Sequence, residues 1–315
     1  MPGKFIISLD FELHWGGAEK WDLTKMKTYF LDARNSIPTV LNLFEENEIK
    51  ATWATVGFLF AKDKKQLLQF SPRLKPAYQK SELSYYNYLK IVGANEKEDP
   101  FHFGGSLIEK IISTRGQELG THTFSHYYCN EEGQGVSEFE ADLAAAQSIS
   151  KENFGIELKS LVFPRNQYNK SYLEVARESG VKVVRSNPNV WFWQNSYGKL
   201  TPFFRAADTL FKISSSLSFD ETELRSSKVL ELPASRFFRP YINRESFIQN
   251  GKIKRIKDEM LFAAENNRCY HLWWHPHNFG KNPVENLNQL SEIVNHFHLL
   301  HNKYGFKSCS MEDFI

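Results

Sequence analysis

The feature that most constrains this chain is a repeated change of hydrophobic period along its 315 residues. Short apolar runs at 5–11, 51–58, 118–122, 160–164, 181–185, 229–233, 269–275 and 306–310 read as strands. Amphipathic stretches at 32–47, 136–153, 170–179, 244–266 and 283–304 read as helices between several of them. Strands alternating with helices imply an α/β fold built on a mainly parallel sheet, open or closed into a barrel. Seven or eight such units in this length favour a barrel-like arrangement over two separate domains, so we expect a single catalytic domain spanning 1–315. The alternation breaks at 61–105, which reads as an insertion or a lid, and again at 187–227, an aromatic-rich irregular stretch of the kind that is often functional.

Composition enters chiefly by exclusion. Net charge is +2 and no long basic run occurs, so nucleic acid and an anionic membrane surface are poor partners. The three cysteines, Cys129, Cys269 and Cys309, are odd in number and lack CxxC spacing, which argues against a disulfide framework and for a reducing compartment. The first strand begins at about residue 4, which leaves no room for a secretory leader, and no apolar run approaches the ~18 residues of a membrane helix. The expectation is a cytoplasmic protein without membrane insertion; the sequence is silent on oligomeric state. No GxGxxG, GxxxxGK[ST] or GxSxG pattern occurs.

Four stretches carry chemistry. In "SLDFE", Asp10 and Glu12 sit two apart, so a strand would point both carboxylates the same way at its C-terminal end, where parallel α/β barrels build their sites. In "GTHTFSH", His122 and His126 are four apart, the spacing of one helix face, and two imidazoles with one carboxylate make a typical catalytic zinc set. "LVFPRNQYN" places Arg165, a permanent cation suited to forked carboxylate pairing, just past a strand. "CYHLWWHPHNFG" ends a strand at His275, whose ordinary pKa suits a general acid, and alternation puts Trp273 and Trp274 on opposite faces.

Taken in order with the strand "KATWATVG", these stretches resemble the polysaccharide deacetylase family, the NodB-homology group of carbohydrate esterases (family 4-like). The resemblance implies a distorted (β/α)7, TIM-barrel-like fold and hydrolysis of an N-acetyl or similar N-acyl group on a sugar. It gives Asp10 the role of base, oriented by Arg165, and His275 that of acid. Glu12, His122 and His126 would hold a divalent metal, Zn2+, while Trp273 and Trp274 would help wall the acyl pocket. The family's aspartate that orients the acidic histidine has only weak counterparts here, Asp208 and Asp220. A cytoplasmic setting points to a nucleotide- or lipid-linked precursor of surface polysaccharide as substrate. The spaced Asp-x-Glu pair departs from the commoner adjacent aspartates. Allantoinase-like amidases share it and are thought to work without metal, so a metal-free cyclic amide hydrolase stays open. So does an inactive, glycan-binding family member.

Overall fold

A computed structural model of the protein describes residues 1–188, 190, 216–224 and 229–315. Its centre is β1 (Lys4–Phe11), buried from Phe5 onward. A strand covered on both faces needs a continuous apolar run, and "FIISL" supplies one. Along one edge β1 pairs with β8 (Cys269–Trp274). It also pairs with β9 (Lys307–Cys309) through Lys4–Ile6 and with β2 (Ala51–Thr55) through Ser8–Phe11. The sheet continues through β3 (Gln117–Thr121), β4 (Ser160–Leu161), β5 (Val183–Ser186) and β6 (Leu230–Pro233). Its order is β6-β5-β4-β3-β2-β1-β8-β7, with β7 at Arg236–Phe237. Among the described residues every strand pairing is parallel. Among the described residues β6 and β7 do not pair with each other, so the sheet curls into a distorted barrel without closing.

All eight strands read from the sequence are present, with shifted ends. The two-residue β7 is additional. Helix α1 begins earlier than expected, at Leu23, because Asp22 accepts a bond from the Thr24 N–H and caps it; it runs to Glu46. The helix Pro283–Tyr304 matches its expected span, bounded by Pro283 in its first turn and Gly305 in the left-handed conformation after its end. A helix at Gly105–Ser113 was not expected. Among the described residues no helix is long and apolar enough to cross a membrane. All three cysteines are unpaired and buried.

Between 61 and 105 lie the helix Lys64–Phe70 and single turns at Ser81–Leu83 and Tyr85–Tyr88, with no strand beyond an Asp63–Asn95 bridge. This segment is fastened to the barrel. Arg34 of α1 donates to the carbonyls of Pro100 (2.8 Å) and Phe103 (2.9 Å). Asp99 accepts from His102 Nδ1 (2.8 Å), and His102 Nε2 lies 2.9 Å from His14 Nδ1. His14 Nε2 lies 2.9 Å from the Trp21 carbonyl, which accepts its proton. Burial lowers the His14 pKa to about 4, so the ring is neutral and its Nδ1 accepts from His102.

Candidate active site

The C-terminal ends of β1, β3, β5 and β8 bring the chemistry-bearing side chains together. Asp10, near the end of β1, is buried, and Glu12 follows as the first residue beyond the strand. Glu12 Oε1 lies 3.0 Å from His122 Nε2 and 3.0 Å from His126 Nε2. His275, just past β8, has Nε2 3.7 Å from Asp10 Oδ2 and 4.0 Å from Glu12 Oε1. Its side chain is 26% exposed against 5% for Asp10 and 3% for Glu12, so His275 is the member that faces the cleft.

The histidine pair does not lie on a helix. It spans a loop after β3 in which Thr123 (φ 64°) and His126 (φ 58°) take left-handed backbone conformations. Such conformations are costly for these residues and persist only where the surroundings fix them. Asp142, buried on the helix Val136–Phe154, does the fixing. Its carboxylate accepts from the Phe124 N–H (2.7 Å), the Ser125 N–H (3.2 Å), the Tyr86 hydroxyl (2.9 Å) and the Ser125 hydroxyl. On the other side the Gly57 N–H donates to the Thr123 carbonyl (2.8 Å). A Cβ at Gly57 would come within 2.7 Å of the Phe124 backbone, so only glycine allows this approach.

Whether these residues suit a cation follows from the protons. His122 Nδ1 is 2.8 Å from the Val162 carbonyl and must donate to it. A neutral imidazole then turns a bare Nε2 lone pair toward a carboxylate oxygen. Two acceptors at 3.0 Å repel unless a proton or a cation lies between them. His126 presents its Nε2 to the same oxygen, its Nδ1 resting 3.0 Å from the Tyr128 hydroxyl. Burial also lowers the His126 pKa, against the pull of Glu12, which favours the neutral ligand form. One carboxylate oxygen and two imidazole nitrogens form a donor set for zinc and similar ions, so the residues fit. Burial would raise the Glu12 carboxyl, but the imidazoles of His275, His122 and His126 around it hold it well below its ordinary value.

The arginine on Asp10 is not the expected one. Arg185, in β5, reaches across the barrel interior and grips Asp10 with both ends of its fork, at 2.6 Å (Oδ1) and 2.8 Å (Oδ2). Arg185 is buried, stacks 4.2 Å over the Trp273 ring and donates to Ser8 Oγ (3.1 Å) and Asn166 Oδ1 (3.2 Å). Ser8 in turn pairs with His271 Nε2 at 2.8 Å. Burial by itself would raise the Asp10 carboxyl; Arg185, with His122 and His275 nearby, outweighs it and leaves the group below its ordinary value. Arg165 instead binds Glu19 (2.7 Å) and Glu131 (3.5 Å) and lies 4.0 Å over the Tyr128 ring. Its left-handed backbone (φ 53°) turns the side chain to the rim.

The two tryptophans also separate. Trp273 faces the interior, against Phe237 (4.7 Å) and His275 (5.8 Å). Trp274 faces the outer core, against Phe238 (5.4 Å) and Phe279 (6.1 Å), and does not line the cleft, because strand alternation sends neighbours to opposite faces. Tyr85, from the 61–105 segment, stacks on His126 (5.5 Å between ring centres). Asp220 caps the turn at Glu221–Glu223 and does not contact His275, while Asp208 lies outside the described residues. Among the site residues that the sequence does not announce are Arg185, whose partner is 175 positions away, and His277, whose only signal is the "HPH" triplet.

A curled parallel α/β barrel carrying this constellation defines a hydrolase that acts on amide bonds. A family profile described as polysaccharide deacetylase matches residues 25–184, about half of the sequence. The chain belongs to the polysaccharide deacetylase family. The matched span includes His122, His126 and Arg165, whereas Asp10, Glu12, Arg185 and His275 fall outside it. Solved structures share the fold at low identity. A candidate polysaccharide deacetylase from Mycobacterium smegmatis aligns with a TM-score of 0.61 and 12% identity, covering 99% of this chain and 89% of that one. A second candidate, from Pseudomonas aeruginosa PAO1, gives 0.56 and 10% over 99% and 88%. PuuE allantoinase gives 0.57 and 9% over 99% and 87%. No curated protein matches the sequence.

Proposed function

We propose that this chain is one catalytic domain that removes N-acetyl, or similar N-acyl, groups from a sugar with the help of a divalent cation, Zn2+ by its ligand chemistry. The observation that supports this most is the convergence of two imidazole nitrogens on one oxygen of Glu12, with Asp10 and His275 alongside. Glu12, His122 and His126 would hold the ion, which when bound polarises an amide carbonyl and makes water a stronger acid. Asp10, kept ionised by Arg185, accepts the proton of the attacking water. His275 gives a proton to the departing amine, which leaves acetate and an amino sugar. The 3.7 Å between His275 and Asp10 is too short to hold a scissile bond between them. The acid therefore has to turn away from Asp10, and at 26% exposure it is less buried than Asp10 and Glu12. Trp273 stands beside it as the aromatic wall.

A nucleotide- or lipid-linked precursor sugar completes the proposal as substrate class. The test is acetate release from a panel of N-acetylated sugars by metal-stripped protein, before and after Zn2+ or Co2+ is added. UDP-linked N-acetylhexosamines are to be compared with chitin oligomers. Activity that returns only with metal, and is absent in Glu12→Ala and His126→Ala, is the expected result. Full activity in the stripped protein would overturn metal dependence, and no acetate release with hydrolysis of a cyclic amide such as allantoin would favour a cyclic amide hydrolase.

A further inference from the structure

Glu12 presents two oxygens, and only one is accounted for by the histidine pair. Oε1 receives both Nε2 atoms, whereas none of the hydrogen bonds among the described residues ends on Oε2. His277 Nδ1 lies 3.5 Å from Oε2 and is itself buried and without a hydrogen-bond partner. A buried polar atom of that kind in a native fold calls for an explanation.

The ring is held in place for this purpose. His277 lies in the turn Pro276–Gly280, where its imidazole packs edge-on to Trp21 (5.0 Å) and against Tyr29 (6.4 Å) and Phe30 (6.3 Å) of α1. The turn is pressed onto α1 so closely that a Cβ on Gly280 would fall 2.0 Å from the Tyr29 carbonyl. On the other side of the carboxylate the chain has cleared a notch: a Cβ on Gly16 would fall 2.0 Å from Glu12 Oε2. Glutamate is one methylene longer than aspartate, and its carboxylate occupies the space between Gly16 and His277.

We propose that His277 is a positioning residue for Glu12: its Nδ1–H is the donor for Oε2 when Oε1 serves as ligand, which fixes a flexible glutamate as a one-oxygen ligand. This rests on the metal-dependent reading above. A carboxylate ligand whose second oxygen lacks a donor is free to rotate or to bind through both oxygens. Loss of such an outer hydrogen bond typically weakens metal affinity by about 10–100-fold.

The test is Zn2+ affinity of the purified full chain, measured by competition with a chromophoric chelator, with apo-protein thermal unfolding as the folding control. His277→Asn can place an amide N–H near the Nδ1 position and is expected to bind Zn2+ close to wild type. His277→Gln, whose amide reaches the Nε2 position, and His277→Leu, with no donor, are expected to bind about 10–100-fold more weakly. Gly16→Ala, which displaces Oε2 from the opposite side, should weaken binding as well. Equal affinity for Asn and Gln variants overturns the proposal, and that comparison holds even if the Leu variant does not fold. Wild-type protein that takes up no Zn2+ sinks the metal-dependent reading itself, a different result from wild-type binding that is indifferent to position 277.

Discussion

Replacing Arg185 with methionine removes one partner of a fully buried ion pair, and the structure allows its size to be set against a control. Arg185 is 1% exposed and Asp10 5%, so neither charge can turn to water when the other is lost. Breaking a pair of this kind costs about 3–5 kcal/mol of folding stability, because a buried charge is left without compensation. Arg165→Met is the control, since that side chain is 31% exposed and its pairings sit at the rim, where the loss is about 0–1 kcal/mol. The pH dependence has a definite sign. In the wild type the lowered Asp10 pKa contributes stability above its ordinary value of 3.8, and that contribution is lost as pH falls through the folded value. In Arg185→Met, burial acts on Asp10 without its main opposing charge, so the group protonates more readily and the variant recovers relative to wild type on acidification. Urea unfolding of the three proteins at neutral pH and near pH 4, together with acetate release at neutral pH, checks both statements. If Arg165→Met lost more stability or more activity than Arg185→Met, or if the Arg185→Met deficit did not shrink in acid, the assignment of Arg185 to Asp10 would be wrong.

Other perturbations follow from the same geometry. Asp142→Ala strands buried donors on Phe124, Ser125 and Tyr86 at about 1–3 kcal/mol each, so the thermal midpoint should fall and Zn2+ binding weaken together; unchanged Zn2+ affinity would dissociate the helix from the loop. Trp274→Ala should cost about 3–5 kcal/mol in unfolding experiments yet leave KM near wild type, whereas Trp273→Ala should change kinetic constants; the reverse pattern contradicts the facing described for β8. His14, lowered by burial from 6.5 to about 4, stays neutral in the fold while the unfolded chain protonates. Stability should therefore decline by up to about 1.4 kcal/mol per pH unit between those values, and His14→Gln should flatten that slope in a pH series of denaturation curves. Zn2+ at about 100 times its Kd should raise stability by about 2.7 kcal/mol, read as a shift in the melting curve that a chelator reverses.

Much of this architecture is written locally. Apolar runs such as "FIISL" can be satisfied only as covered strands, and Pro283 with Gly305 brackets a helix regardless of what lies around it. The two-residue β7 escaped notice because a pairing of Arg236 with Leu272 leaves no periodic trace. Arg185 was missed for a different reason. Its strand is separated from β1 by β4, β3 and β2 in the sheet, and only the curl of the barrel carries a side chain from one to the other. Arg165 sat beside a more suggestive motif, but a left-handed backbone angle that sequence does not announce sent it outward. The histidine pair was legible as a pair, while its spacing left the backbone between the two rings open. Asp142, which shapes the loop instead, lies on a separate element 16 positions after His126.

The anchoring of that loop by Asp142 bears on how the protein can be handled. The proposed ligands are set in place by a carboxylate, two backbone donors and two hydroxyls, none of which is itself one of those ligands. If the site holds a cation as proposed, stripping it should therefore leave a socket already shaped for another. Cobalt or another spectroscopically visible ion can then be exchanged in under native conditions, giving a coloured reporter of the ligand field without a refolding step.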